Sequence, residues 1–250
     1  GQLFLAQGNY AAAQQDFAKA IALKPGADMY LYRGIATASQ GNPGAALPDF
    51  TQALQLNPKS AEAYYQRGLT QAKLGQYIPA IADLTEAIRL NPKLTEAYFN
   101  RGVAYSLQKE YGQAIADYTK AAQLDPKDAM AHFGRGTAYG ANGDKAAAIA
   151  DYTQAIALDS KLVGAYINRA ILRSTNGAPQ DALADYNRAI ELDPGNAAAY
   201  RNRASLQVSL GNRSAALADY RKALELYRQQ GSTEDMTGLE QAIAQLQSSR

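Results

Sequence analysis

Between Thr95 and Asp128 the apolar positions follow a helical rhythm twice over. Tyr98, Gly102 and Tyr105 fall at i, i+4 and i+7, one face of a first helix. After a break near Lys109–Gly112, Ala114, Ile115, Tyr118, Ala121 and Ala122 set out a second helix at the same kind of spacing. Asp125, Pro126, Lys127 and Asp128 then stop it, because proline cannot continue a helix. The same window fits again 34 residues away in either direction, with prolines at Pro25, Pro58, Pro92, Pro126 and Pro194 and Ser160 in the gap. A fixed period of roughly 20–50 residues predicts stacked repeats, since one helical hairpin cannot bury both its apolar faces alone.

Full copies are expected at 27–60, 61–94, 95–128, 129–162, 163–196 and 197–230, with 1–26 the rear of a further copy. The fold class is therefore all-α, a single array of helix pairs. Pro43 and Pro179 open second helices, where a missing N–H costs nothing, whereas Pro48 is deeper and should delay or bend its helix. Past Gly231, Ser232 or Thr233 can cap a last helix with Met236, Leu239, Ile243 and Leu246 on one face, a terminal cap over 231–250. Gly1 is in register with Gly34 and Gly68, so the native chain is expected to extend upstream, with any targeting segment there.

Small residues recur where two helices must approach closely. In first helices they are Gly34, Gly68, Gly102, Gly136, Ala170 and Ala204. In second helices they are the pairs Ala46/Ala53, Ala80/Ala87, Ala114/Ala121, Ala148/Ala155, Ala182/Ala189 and Ala216/Ala223. Phe50, Tyr118, Tyr152, Tyr186 and Tyr220 fill the adjacent space, with Leu84 the exception. Tyr98-x2-Arg101-Gly102-x2-Tyr105, then Ala114-x3-Tyr118, then Pro126, resembles the tetratricopeptide repeat. The resemblance covers nearly the whole chain. It departs from the family in placing arginine before the small residue in every copy, and in keeping the Tyr105 column only at Tyr139. The resemblance implies a right-handed superhelical solenoid of antiparallel helix pairs.

Composition changes this picture little. A net charge of +2 is too weak to imply nucleic acid or membrane surface, and no apolar run approaches a membrane span. The absence of cysteine removes disulfides and thiolate chemistry and leaves the compartment open, with cytoplasm slightly favoured. No cofactor or metal site is expected: His132 is the only histidine, and it stands in the column of Tyr30, Tyr64, Tyr98, Tyr166 and Tyr200, where it replaces a packing aromatic. No nucleophile–base spacing and no phosphate loop are present, so the chain is expected not to be an enzyme. Arginines at 33, 67, 101, 135, 169 and 203 suggest a basic stripe. Aspartates at 16, 49, 83, 117, 151, 185 and 219 accompany them, which points instead to structural ion pairs between helices.

The first helices carry a second apolar face. It reads Leu31, Tyr65, Phe99, Phe133 and Ile167, then Ile35, Leu69, Val103, Thr137 and Ile171, beside a more polar column that includes Gln66, Asn100, Asn168 and Asn202. An apolar strip with a polar rim marks a binding surface, the alternative being that Phe99 and its column pack between neighbouring first helices. The resemblance implies that this face lines the concave side and holds an extended peptide, with carboxamides gripping its backbone as donor and acceptor at once. The family's clamp for chaperone C-termini needs lysines where this chain has Leu31, Tyr65 and Phe99. With Asp28, Glu62 and Glu96 along the edge, a partner bearing basic residues is favoured. The expected role is a non-enzymatic protein–protein interaction scaffold, as in assembly factors and adaptors. The alternatives are a self-associating module, joined through an N-terminal hairpin left sticky by Leu3, Phe4 and Leu5, or a recruiting segment of a larger enzyme.

Overall fold

The computed structural model describes residues 1–232 and 236–248, and every regular element among them is an α-helix. The helices pack in successive hairpins that fall into two compact units. The unit over 1–127 holds α1 (Gln2–Ala6), α2 (Tyr10–Leu23), α3 (Ala27–Ser39), α4 (Pro43–Leu56), α5 (Ala61–Lys73), α6 (Tyr77–Leu90), α7 (Thr95–Leu107) and α8 (Tyr111–Leu124). The unit over 128–250 holds α9 (Ala129–Ala141), α10 (Lys145–Leu158), α11 (Val163–Thr175), α12 (Pro179–Leu192), α13 (Ala197–Ser209), α14 (Arg213–Gln230) and α15 (Met236–Ser248). Odd-numbered helices from α3 to α13 are the first helices of the repeats, and each packs on the even-numbered helix that follows.

Turn chemistry sets the boundaries. First helices end in a left-handed residue, a conformation glycine adopts without penalty. Gly41, Gly75, Gly143, Gly177 and Gly211 take it, and Lys109 (φ 62°) is the one non-glycine among the described residues that does. Five second helices, α4, α6, α8, α10 and α12, end in a side-chain turn. Asn57, Asn91, Asp125, Asp159 and Asp193 each accept the backbone N–H two residues on, at 2.9–3.1 Å. Asp159 makes this turn beside Ser160 as the others do beside proline, so the proline reinforces a stop that the Asx residue already makes. Pro48 does not delay α4, which runs unbroken from Pro43 to Leu56 with the proline ring exposed on its outer side.

The core is thin and built from alanine against aromatic rings. Phe50 and Leu84 are wholly buried, Tyr118, Tyr152 and Tyr186 nearly so, among alanines of 0–1 % exposure. A β-carbon on Gly34 would stand 2.7 Å from Phe50, on Gly68 2.9 Å from Leu84, on Gly102 3.1 Å from Tyr118 and on Gly136 3.0 Å from Tyr152. In α15, Leu239 is buried against α14, and Met236, Ile243 and Leu246 pack beside it, the face expected of a terminal helix. Of its suggested caps, Thr233 lies outside the described residues.

Arginine and aspartate meet in every copy. Nε and Nη2 of Arg33, Arg67, Arg101, Arg135, Arg169 and Arg203 donate to both oxygens of Asp49, Asp83, Asp117, Asp151, Asp185 and Asp219, at 2.6–2.9 Å. The third nitrogen reaches back to the second helix of the preceding copy: Arg67 to Thr51 (3.3 Å), Arg101 to Thr85 (2.9 Å), Arg169 to Thr153 (3.0 Å) and Arg203 to Asn187 (2.7 Å). Each of these four guanidiniums thus ties three helices together, and the column's charge is neutralised where it arises. The ring of Tyr30, Tyr64, Tyr98, Tyr166 or Tyr200 lies under the same guanidinium at 5.5–5.9 Å. At His132 the imidazole Nδ1 instead sits 3.4 Å from Asp151.

Candidate functional site

The second face of the first helices is not one uniform surface. In the first unit Leu31 is 5 % exposed and belongs to the α3–α4 core, so it packs the hairpin and offers nothing to a ligand. Ile35 packs against the same core, and Tyr65, Leu69, Phe99 and Val103 are half-buried. Phe99 meets Tyr118 edge-on, with centroids 5.5 Å apart. Around Tyr65 a polar cluster bridges α5 and α7. Asn100 Nδ2 donates to the Glu96 carbonyl at 2.8 Å and to the Tyr65 hydroxyl at 3.4 Å, while Gln66 donates to Glu62 at 2.8 Å. Burial raises the Tyr65 phenol above its usual range, and Glu96 and Glu62 add to that. Glu62 and Glu96 are themselves exposed.

In the second unit the face opens into two clefts that share Ile171, a residue 40 % exposed. The one between α9 and α11 holds about 200 Å³ and is bounded by Thr137, Tyr152 and Asn168. Its polar groups are engaged, because the Tyr152 hydroxyl donates to Thr137 Oγ1 at 3.3 Å and interacts with Asn168. Phe133 lies 5.8 Å from Tyr152 and against the backbone of α11 at Gly164, where a β-carbon would be 3.2 Å from its ring. Ile167 is half-buried and packs into the α11–α12 core. The second cleft, between α11 and α13, holds about 350 Å³, with Asn202 and Tyr186 on its walls.

The asparagines therefore differ. Asn100 spends its N–H groups within the protein, Asn168 is coupled to a tyrosine, and Asn202 makes no hydrogen bond among the described residues. Reading by columns missed Tyr152, Tyr186, Ser174, Ser205 and Ser209, which line the clefts. The two tyrosines were assigned to helix packing alone. A signal was present: Ile171 stands in a column that reads Thr137 one copy earlier and Ser205 one copy later. No group of three or more His, Cys, Asp or Glu among the described residues could hold a metal ion, and no described helix is long and apolar enough to cross a membrane.

Family models described as tetratricopeptide repeat match residues 61–94 and 95–128, residues 1–61, 36–77 and 167–231, and residues 130–162. No protein of curated function matches the chain. Among solved structures, the C-terminal part of a repeat protein from Cytophaga hutchinsonii is similar at a TM-score of 0.74 and 18% identity, over 95% of this chain and 97% of that one. YrrB, described as a TPR protein with an unusual peptide-binding site, gives 0.63 and 22%, over 77% and 96%. MamA from Desulfovibrio magneticus gives 0.65 and 21%, over 68% and 96%. At these identities the likeness is one of fold.

Proposed function

We propose that this chain, which belongs to the tetratricopeptide repeat family, is a non-enzymatic interaction scaffold that holds an extended segment of a partner protein along its first-helix faces. The observation that carries this reading is the pair of clefts in the second unit, joined at the exposed Ile171 and flanked by Asn168 and Asn202. A strand of peptide exposes a side chain and a donor–acceptor pair at regular intervals, and apolar clefts beside carboxamides match that spacing of needs. The half-buried aromatics Tyr65 and Phe99, edged by Glu62 and Glu96, would extend the same mode of recognition on the first unit and select basic residues there. The peptide-binding site in the description of one structural neighbour adds support.

The test is selection of displayed random peptides on the full chain, followed by affinities for Asn202→Ala and Phe99→Ala, each with a thermal melt. Asn202→Ala should weaken the selected peptides about 2- to 10-fold, the worth of one neutral hydrogen bond, without moving the melt. Phe99→Ala should weaken binding and lower the melt together, because the ring also packs on Tyr118. Peptides that bind both variants as tightly as the parent would place recognition elsewhere.

A further inference from the structure

The tyrosine of the fifth repeat lacks a partner that its neighbours have. In the repeat before it, the Tyr152 hydroxyl donates to Thr137 Oγ1, and in the repeat after it the Tyr220 hydroxyl meets Ser205 Oγ at 3.0 Å, in both cases fifteen residues upstream. The same place before Tyr186 is Ile171, which has no hydrogen-bonding side-chain atom. Tyr186 is 2 % exposed and lines the α11–α13 cleft, and its hydroxyl has no hydrogen-bond partner among the described residues. That hydroxyl opens into the cleft, so whatever occupies the cleft must supply its partner.

The rest of the cleft defines what that partner is. Ser174 donates to the Ile171 carbonyl at 2.8 Å, Ser205 to the Arg201 carbonyl at 3.1 Å and Ser209 to the Leu206 carbonyl at 2.7 Å. What the Ser174 and Ser209 oxygens retain is acceptor capacity, while Ser205 Oγ is shared with the Tyr220 hydroxyl. Asn202 brings a free carboxamide, and Ile171 and Leu206 are the apolar walls. No charged side chain among the described residues lines the cleft. The adjacent Asp185 is held by both Arg169 and Arg173. Burial pushes the Tyr186 phenol up to about 12, so it is a donor throughout the neutral range.

We propose that this cleft is a subsite for a single neutral carboxamide side chain, that of glutamine, on a peptide docked along the first-helix face. It rests on the function proposed above. The glutamine carbonyl accepts from Tyr186, its N–H groups donate to Asn202 Oδ1 and the Ser174 and Ser209 oxygens, and its methylenes lie on Ile171 and Leu206. A carboxylate would turn acceptors toward the serine oxygens with no cation to meet it. An ammonium group would give up its water with no carboxylate in reach, and an aliphatic side chain would leave Tyr186 unpaired.

The probe is N-acetyl-glutamine-N-methylamide, titrated into the full chain and followed by the NMR shifts of the Asn202 side chain and the Ile171 and Ser205 amides, against the matching glutamate, lysine and leucine derivatives. Saturable shifts with the glutamine probe and weaker binding of the other three are expected. Tyr186→Phe should weaken the probe about 2- to 10-fold. Ile171→Thr, which gives Tyr186 the partner its neighbours have, should weaken it too while leaving the fold intact. Equal binding of glutamate or lysine, an unaffected Tyr186→Phe, or no saturable shift overturns the assignment. The two readings separate cleanly. Selected peptides that occupy the first-helix face with no carboxamide in this cleft reject the subsite alone. A glutamine probe that binds here when no peptide takes the face rejects the docking mode alone.

Discussion

A β-carbon at Gly34 would press 2.7 Å from a Phe50 ring that is itself wholly buried, whereas at Gly102 it would meet Tyr118 at 3.1 Å. Ala170 and Ala204 occupy this place in later copies, so the site tolerates a methyl only where the ring can give way. Gly34→Ala should therefore cost about 1–3 kcal/mol, and Gly102→Ala should be near neutral because the gain in helix propensity, up to about 1 kcal/mol, offsets a small shift of the tyrosine. Denaturant midpoints of the two variants read this directly, and equal losses would contradict it. Arg101 is a second sensitive point. Lysine cannot reproduce its fork on Asp117 together with the bond to Thr85, so Arg101→Lys should lower stability by about 1–3 kcal/mol, measured in the same way. The fork was legible in sequence because arginine and aspartate recur at a constant offset. The reach to Thr85 was not, because it joins neighbouring copies and depends on how they stack.

Helix boundaries were the most legible feature at the scale of elements, because glycine, proline and Asx residues punctuate each copy. Lys109 is the exception that can be tested. It holds the left-handed turn that glycine holds in the other first-to-second-helix turns, at a cost of roughly 1–2 kcal/mol for a residue with a β-carbon. Lys109→Gly should thus raise the melting temperature, by about 1 kcal/mol of stability, although it removes a side chain and adds a glycine. A lower melt would mean that the lysine contributes a contact worth more than the strain. Pro48 shows where punctuation misleads. Proline was expected to delay or bend α4; it does not delay it, because α4 already has its own start at Pro43 and buries Ala46, Asp49, Phe50, Ala53 and Leu54 on the opposite side. Tertiary burial overrides a local breaker there.

For the molecule as a whole, alkaline pH is the informative stress. Tyr186 is raised from 10.0 to about 12 by burial and Asp185, and burial raises Tyr65, Tyr118 and Tyr152 in the same direction. Below pH 10 folded and unfolded chains are both protonated at these sites and nothing is lost. Above it the unfolded chain releases protons that the folded chain retains, so stability falls as pH rises toward 12, by on the order of 1–2 kcal/mol for Tyr186 once solvent in its cleft is allowed for. Tyrosinate absorbance from these residues should appear together with the loss of helical circular dichroism. Complete ionisation of an intact fold near pH 10 would refute this. At this scale the sequence was least informative about the site. Column reading put Leu31 on the surface, though it is core. It put Tyr186 in the core without its cleft, because exposure depends on which residue of the next first helix stands opposite.

The backward reach of Arg67, Arg101, Arg169 and Arg203 has a consequence for how such a chain can change length. Within the first unit Thr51 and Thr85 offer the same hydroxyl at the same phase, so excising residues 61–94 hands Arg101 a new neighbour with an old handshake. Arg67 and Arg101 each bring their own carboxylate and ask only a small polar acceptor of whatever precedes them. Duplication or loss of a whole copy therefore strands no buried charge, and a chain shortened by that one copy should still melt as a folded helical protein when followed by circular dichroism. A cut out of phase would sever guanidinium from hydroxyl and should not. The seam along which this protein can be edited is written in the spacing of its salt bridges.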